Sequence, residues 1–225
     1  MQELNQVIFL LDVDNTLLDN DQVEADLKAH LQQAVGAERQ QRYWELFEQL
    51  RKELGYADYL GALQRYRDEN PRDTHLLTLS LYLLNYPFAQ RLYPGSLDVI
   101  QRLAAWGPVV ILSDGDVVFQ PYKIERSGVW QAVSGNVLIY IHKEHMLDDV
   151  EARYPARQYV MVDDKLRILD ALKRQWGKRV TTVFPRQGHY AHDPQILVSY
   201  PAADISVDHI SDLAALTLPQ LLGTS

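Results

Sequence analysis

The sequence of 225 residues contains no cysteine. This absence excludes disulfide bonds, thiolate metal ligands and a cysteine nucleophile, so any metal-binding or nucleophilic chemistry must use oxygen or nitrogen groups. A chain without cysteine also fits a reducing compartment, and we expect a cytoplasmic protein.

Positive charge is scarce as well: 22 lysines and arginines face 30 acidic residues, which gives a formal net charge of −8. This argues against a polymeric nucleic-acid partner, because proteins that bind nucleic acid regardless of sequence need a basic surface along the phosphates. Long hydrophobic runs are also missing, and the first run, at residues 7–11, is far too short to span a bilayer. We therefore expect neither a signal peptide nor a membrane anchor.

Short apolar runs, in contrast, recur and end at polar residues. The run at residues 7–11 stops at Asp12, and similar runs occupy residues 109–112, 159–162 and 180–184. Continuous β-branched and aromatic runs of this length are typical of strands buried in a parallel sheet. Helical patterns lie between them at residues 97–106, 117–127, 144–153 and 166–176. The alternation predicts an α/β fold with a parallel sheet covered on both faces.

Residues 19–87 interrupt this alternation. Their pattern is helical, with apolar residues at helical spacing such as Leu27 and Leu31, and it contains no strand-like run. We therefore predict a core domain of residues 1–18 and 88–225, with an all-helical insertion of residues 19–87 after its first strand. In the insertion, we interpret the basic side chains as a solvent-exposed face; they are Arg51, Lys52, Arg65 and Arg67. We interpret the aromatic residues Tyr43, Trp44 and Phe47 as part of its packed interior.

Acidic and hydroxyl side chains follow the predicted strands, at the sheet edge where open α/β folds bind ligands. They are Asp12, Asp14 and Thr16 after the first strand, Ser113 and Asp114 after the second, and Asp163 and Asp164 after the third. Lys143 opens the predicted helix before the third strand. Because so many acids would repel one another, and because Mg²⁺ prefers oxygen ligands, this pattern indicates a Mg²⁺ site.

Four stretches carry a family resemblance. In order along the chain, DVDNT, ILSDG, HKEHM and MVDDK resemble the four motifs of the haloacid dehalogenase superfamily. The helical insertion is similar to the mobile cap domain of that superfamily, and LYPGSLDVIQRLAAWG is similar to its return into the core. The resemblance implies a Rossmann-like core with a helical cap and a phosphatase activity.

The resemblance also implies roles for the matching residues. Asp12 would be the nucleophile that forms an aspartyl-phosphate, and Asp14 would protonate the leaving group and then activate water. The phosphoryl oxygens would be bound by Thr16, Ser113, Asp114 and Lys143. Magnesium would be bound by Asp12, the backbone carbonyl of Asp14, Asp163 and, in or beside its coordination shell, Asp164.

Three positions depart from the pattern of the superfamily. Val162 stands where many relatives have glycine, and Arg167 occupies the place of a further downstream acid. Glu144 follows Lys143 where proline is frequent, so Lys123 remains an alternative for the lysine role.

The function predicted from these residues is that of a Mg²⁺-dependent phosphatase acting on a small phosphorylated metabolite. A phosphosugar mutase on the same fold is the first alternative, because it would keep every core residue. A 2-haloacid dehalogenase is a weaker one, since such enzymes lack an acid at the place of Asp14. A phospho-accepting signalling module would need the motifs in a different order.

Overall fold

The computed structural model describes residues 5–223, and its centre is a sheet of six parallel strands. The strands are β1 (Asn5–Leu11), β2 (Val109–Asp114), β3 (Val137–Tyr140), β4 (Ala156–Val162), β5 (Val180–Pro185) and β6 (Ile205–Val207). Their order in the sheet is β3-β2-β1-β4-β5-β6. This arrangement confirms the predicted α/β, Rossmann-like parallel sheet.

The central strand β1 is buried on both faces. Phe9 and Leu11 belong to one apolar cluster, whereas Ile8 and Leu10 belong to another on the opposite face, as the alternation of side chains along a strand requires. The edge strands β3 and β6 were not predicted from the sequence. Strand β6 (ISV) is only three residues long with a serine at its centre, whereas β3 (VLIY) is a continuous apolar run that the sequence-based prediction missed.

Within residues 19–87, after β1, the chain forms four α-helices: α1 (Asn20–Val35), α2 (Ala37–Leu54), α3 (Tyr59–Glu69) and α4 (His75–Leu84). Phe47 of α2 stacks on Tyr59 of α3 with a ring-centroid distance of 4.7 Å, inside the helical layer. The two segments that connect this layer to the core lie side by side, since the Asp19 N–H donates to the Arg91 carbonyl oxygen at 2.8 Å. The division into core and cap domains stays a prediction.

The remaining helices are α5 (Ser96–Ala104), α6 (Phe119–Arg126), α7 (Val129–Ala132), α8 (Leu147–Arg153), α9 (Leu166–Trp176), α10 (Pro194–Ser199) and α11 (Leu218–Leu222). Helix α6 begins two residues later than its pattern predicted because Asp116 Oδ1 accepts from the N–H groups of Val118 and Phe119. Lys143–His145 forms a separate 3₁₀ turn before α8. Every helix within residues 5–223 is too short or too polar to cross a membrane.

Candidate active site

The first segment of the site is the DVDNT turn at the end of β1. The Asp12 N–H donates to the Val162 carbonyl oxygen at 3.0 Å, which continues the pairing of β1 with β4. The Val13 carbonyl oxygen then accepts several backbone N–H groups and closes a tight turn. Asp12 and Asp14 consequently lie beyond the carboxyl end of the sheet, where the sequence placed them.

Asn15 ties this turn to the start of α1. Its φ angle of 58° lies in the left-handed region, which asparagine adopts more readily than most residues. Its side-chain oxygen accepts from the N–H groups of Asn20 at 3.0 Å and Asp21 at 3.2 Å, and its amide donates to Asp21 Oδ1 at 3.0 Å. The position therefore needs both a left-handed backbone and a short amide side chain.

We expect the substitutions Asn15→Gly and Asn15→Ala to separate these two requirements. Asn15→Gly keeps the left-handed backbone but loses the three hydrogen bonds, which should lower the free energy of unfolding by about 1–3 kcal/mol. Asn15→Ala loses the same bonds and adds backbone strain of about 1 kcal/mol. Urea unfolding followed by circular dichroism measures both values. An Asn15→Ala protein as stable as Asn15→Gly would contradict the conformational requirement.

Lys143 lies buried between two carboxylates. Its Nζ is 2.7 Å from Asp12 Oδ1 and 2.6 Å from Asp163 Oδ2, and it donates to the Leu112 carbonyl oxygen at 3.1 Å. Burial alone would lower the pKa of Lys143, but Asp12, Asp163 and Asp114 raise it above its ordinary range, so the ammonium is charged. Of the two candidate lysines, Lys143 is therefore the one beside Asp12.

Lys123, the alternative, contacts the other acid of the DVDNT turn. Its side chain is 1% exposed, and its Nζ lies 2.7 Å from Asp14 Oδ1 and 3.2 Å from Asn20 Oδ1. Gln120, also on α6, donates from Nε2 to Ser113 Oγ at 3.0 Å and to Asp14 Oδ2 at 3.4 Å. Two residues outside the four motifs thus hold Asp14 beside Ser113.

Two residues predicted to bind phosphate hold neighbouring loops with their side chains. Asp114 Oδ1 accepts from the Lys143 N–H at 2.7 Å and fixes the turn that carries this lysine. Thr16 Oγ1 accepts from the Asp164 N–H at 3.0 Å and joins the DVDNT turn to the loop after β4. These contacts position Lys143 and Asp164, and a phosphate contact of Asp114 or Thr16 stays a prediction.

Asp12, Asp163 and Asp164 form a buried cluster whose carboxylate oxygens come within 4.8 Å of one another. Among residues 5–223, Asp12 Oδ2 and both side-chain oxygens of Asp164 have no hydrogen-bond partner. Asp163 Oδ2 lies close to Lys143 Nζ, but the geometry is that of an ion pair without an aligned hydrogen bond. The side chain of Asp14 lies outside this cluster.

The electrostatics of the cluster favour a bound cation. Burial raises the pKa of Asp163 to about 6 and that of Asp164 well above its ordinary value. Burial would also raise the pKa of Asp12, but Lys143 and Lys165 hold it below the ordinary value. Buried carboxylate oxygens without partners are costly, and hard oxygen donors in this arrangement fit a divalent cation such as Mg²⁺.

Two departures from the superfamily pattern meet in one contact. Arg167 of α9 pairs with Glu144, whose side chain is 5% exposed. This ion pair fastens the turn that carries Lys143 to the helix that follows Asp163 and Asp164. Glu144 and Arg167, which both depart from the superfamily pattern, are therefore partners in one ion pair.

A cavity of about 290 Å³ lies beside these groups, lined by Asp14 and Asp164 of the core and by Arg51 of α2. The structure thus places Arg51 at the cavity, although the sequence favoured a solvated face for it, because nothing in the local pattern of α2 indicates which side meets the core. Lys165 also lines the cavity. Its place directly after Asp163 and Asp164 was a signal that could have identified it.

Solved structures that resemble this chain include a protein of similar sequence and more distant proteins that share its fold. A haloacid dehalogenase-like hydrolase from Burkholderia xenovorans LB400 is 64% identical, with a TM-score of 0.90 over 95% of this chain and 99% of that chain. A haloacid dehalogenase-like family hydrolase from Xanthomonas campestris is 18% identical, with a TM-score of 0.65 over 94% of this chain and 89% of that chain.

The L-2-haloacid dehalogenase from Xanthobacter autotrophicus, with chloropropionic acid covalently bound, is 15% identical and has a TM-score of 0.60 over 95% of this chain and 98% of that chain. A search of curated proteins finds no significant match. The sequence matches the family of haloacid dehalogenase-like hydrolases over residues 7–175, which include all four motifs. The chain therefore belongs to the haloacid dehalogenase-like hydrolases.

Proposed function

We propose that this hydrolase is a Mg²⁺-dependent phosphatase that cleaves a small phosphomonoester through an aspartyl-phosphate. The observation that carries the proposal is the buried cluster of Asp12, Asp163 and Asp164, in which Asp12 Oδ2 and both side-chain oxygens of Asp164 lack a hydrogen-bond partner within residues 5–223. A phosphate dianion could not approach three carboxylates without compensating positive charge. The cluster is therefore built for a divalent cation as well as for a substrate.

Asp12 is the nucleophile in this proposal. Lys143 and Lys165 keep its pKa low although burial opposes them, so that the carboxylate is ionised and ready to attack phosphorus. The Lys143 ammonium lies 2.7 Å from Asp12 Oδ1 and offsets charge on the phosphoryl oxygens. Ser113, held by Gln120, donates its hydroxyl proton to another of these oxygens.

Asp14 is the general acid and base. It protonates the leaving oxygen in the first step and accepts a proton from the attacking water in the second. Mg²⁺, held by Asp12, Asp163 and Asp164, supplies further positive charge for the phosphoryl group when it is bound. Positioning and charge neutralisation thus account for the arrangement of the residues in phosphoryl transfer.

The dehalogenase alternative receives less support from the site. The structurally similar L-2-haloacid dehalogenase is only 15% identical, which indicates a common fold and carries no information about the substrate. A departing halide needs no proton, so Asp14 and the supports that Lys123 and Gln120 give it would have no task. A mutase keeps the same core chemistry and differs in the fate of the phosphoryl group.

A phosphate-release screen tests the proposal directly. The purified protein with Mg²⁺ is incubated with a panel of phosphorylated metabolites, and the release of inorganic phosphate is measured. In a parallel dehalogenase assay, the protein is incubated with 2-chloropropionate and the release of chloride is measured. A phosphatase releases phosphate from at least one ester. Chloride release without phosphate release would establish the dehalogenase, and conversion of one phosphosugar into another without free phosphate would establish the mutase.

We expect excess chelator to abolish phosphate release and Asp163→Ala to reduce it by about 10²-fold or more at saturating substrate, because the cation loses a ligand. The matched control is Asp148→Ala on α8, since Asp148 is an acid outside the cluster. Phosphate release by wild type, Asp163→Ala and Asp148→Ala is titrated with Mg²⁺. Full turnover in chelator would contradict the proposed mechanism.

Thermal unfolding gives a second readout of the same cation. Because the pKa of Asp163 is about 6 in the folded protein and 3.8 ordinarily, the metal-free folded protein retains a proton that the unfolded chain releases. Its stability should fall as the pH rises from about 4 to above 6. Mg²⁺ at about 100 times its Kd should raise Tm by about 5–10 °C at pH 8, and by less at pH 5.

We also propose that α1–α4 form a cap that opens for substrate. The Asp19 N–H to Arg91 carbonyl contact and the Tyr93 N–H to Leu17 carbonyl contact, at 2.8 and 2.9 Å, pair the two connecting segments. Such a narrow connection can act as one hinge while the helices above it stay packed. Substitutions across the cap should then change the ranking of substrates, which the same metabolite screen measures.

A further inference from the structure

The cavity beside the acidic cluster carries positive charge that the mechanism above does not employ fully. Besides Asp14 and Asp164, its lining includes Arg51 from α2, Lys165 from the loop after β4, and Tyr190. Both cations meet at the tyrosine. Arg51 Nη2 donates to the Tyr190 hydroxyl at 2.7 Å, and Lys165 Nζ lies 5.6 Å from the centre of the Tyr190 ring.

Lys165 has an ammonium group that is available for a ligand. The Lys165 backbone N–H donates to Asp163 Oδ1, but within residues 5–223 its Nζ forms no hydrogen bond and no ion pair within 4.0 Å, so the three N–H groups of the ammonium can serve an anion. A lysine side chain is ordinarily charged at neutral pH, and this one lines the cavity.

Arg51 is the second available cation. Beyond the Tyr190 contact, its nearest carboxylate partner is Glu48, at 3.8 Å on the same helix. Its side chain is 36% exposed, so part of the guanidinium reaches open space. Since a guanidinium has five N–H groups, several remain for a ligand between the cap and the core.

Most other charged groups of the cavity already have partners. Glu24 accepts from the Tyr59 hydroxyl at 3.3 Å, and burial raises its pKa, which weakens it as a competing anion. The remaining contacts are Asp14 with Lys123, Arg167 with Glu144, His189 with Asp21, and Asp114 with the Lys143 N–H. Asp164 also lines the cavity, and its two carboxylate oxygens lack hydrogen-bond partners within residues 5–223, but the mechanism above assigns them to the divalent cation. The charge left for a further ligand is therefore that of Arg51 and Lys165.

We propose that Arg51 and Lys165 form a subsite for a second anionic group of the substrate, with Tyr190 as the wall between them. The proposal rests on the phosphatase function above, because it assigns the phosphoryl group to Asp12 and the second anion to this subsite. The volume of about 290 Å³ equals that of roughly ten water molecules. The substrate class is therefore a small phosphomonoester that also carries a carboxylate or a second phosphate.

Matched substrates test this subsite with the Mg²⁺-loaded enzyme. Propyl phosphate has no second anion, 3-(phosphonooxy)propanoate adds a carboxylate, and propane-1,3-diyl bisphosphate adds a phosphate. Wild type should prefer at least one of the doubly anionic esters by about 10-fold or more in kcat/KM, and the better of the two identifies the anion. Arg51→Gln and Lys165→Gln should each reduce that preference about 10-fold, mainly through KM.

Lys52→Gln is the matched control, because Lys52 is the exposed neighbour of Arg51 on α2, and it should keep the wild-type preference. If Lys165→Gln lowered kcat/KM equally for all three esters and Arg51→Gln changed nothing, Lys165 would serve the phosphoryl group and the subsite would be refuted. Equal use of the three esters by wild type would also refute it, while leaving the phosphatase intact.

Binding without turnover separates this proposal from the phosphatase assignment. Calorimetry with Mg²⁺ present compares 3-phosphonopropionate with propylphosphonate, neither of which can be hydrolysed as an ester. Tighter binding of 3-phosphonopropionate by about 10-fold, lost in Arg51→Gln, would support the subsite even if no ester were cleaved. Equal binding of the two phosphonates would refute a carboxylate-binding subsite, and 1,3-propanediphosphonate tests the phosphate form in the same way.

Discussion

Asp12→Asn should eliminate phosphate release, with a loss of about 10⁴-fold or more in turnover. The amide that replaces the carboxylate is a poor nucleophile, so no aspartyl-phosphate can form. Phosphate release from the best ester of the screen measures the loss, and intact-mass spectrometry should detect no added phosphoryl group after quenching. Substantial turnover by this variant would remove Asp12 from the role of nucleophile.

The fold should survive this substitution. Asp12→Asn loses the ion pair with Lys143, but it also relieves repulsion from two other carboxylates within 4.8 Å. The asparagine oxygen can still accept from Lys143, which keeps its ion pair with Asp163 at 2.6 Å. We expect Tm in chelator to stay within a few degrees of wild type, or to rise. A normal Tm with no turnover would assign the loss to chemistry rather than to unfolding.

Asp14→Asn should have a different effect with an activated ester such as p-nitrophenyl phosphate. This leaving group needs little protonation, so the first step should continue at a reduced rate while hydrolysis of the aspartyl-phosphate slows by about 10²–10⁴-fold. A phosphorylated enzyme should then accumulate, and intact-mass spectrometry should show one added phosphoryl group. With ordinary alkyl esters, whose leaving oxygen needs a proton, both steps should slow.

The contacts of Asp14 make asparagine a suitable replacement. Lys123 Nζ lies 2.7 Å from Asp14 Oδ1, and an amide oxygen at this position can still accept from the ammonium. Asp14→Ala would leave the buried lysine without that partner and would confuse a loss of chemistry with a loss of stability. Hydrolysis of alkyl esters by Asp14→Asn at the wild-type rate would contradict the division of labour between Asp12 and Asp14.

These predictions depend on residues that the sequence could identify only in part. The runs that end at Asp12, Ser113 and Asp163 predicted the parallel sheet, because strands covered on both faces must be apolar at nearly every position. They also predicted that the polar residues after these strands lie at one edge of the sheet, since parallel strands end at a common edge. The four motifs then sufficed for the family, which the match over residues 7–175 confirms.

Contacts between distant elements were beyond the sequence. Lys143 and Lys123 were both candidates for the place beside Asp12, and only the packing of α6 and the 3₁₀ turn assigned the former to Asp12 and the latter to Asp14. Nothing in the sequence indicated that the Asp114 side chain accepts from the Lys143 N–H, while the predicted phosphate contact of Asp114 stays a prediction. Partners of this kind depend on helix rotation and loop register, which no local pattern specifies.

The sequence by itself determined the parallel sheet, the acidic edge and the family, because burial and strand alternation leave periodic signals in the chain. Tertiary structure alone decided that Asp12, Asp163 and Asp164 share one buried cluster. Within residues 5–223, Asp12 Oδ2 and both side-chain oxygens of Asp164 have no hydrogen-bond partner there. It alone brought Arg51 to the cavity that Lys165 also lines. The physical reason is that burial leaves a periodic pattern among neighbouring residues in the sequence. The contact partners of a side chain, in contrast, depend on how separate helices and strands pack.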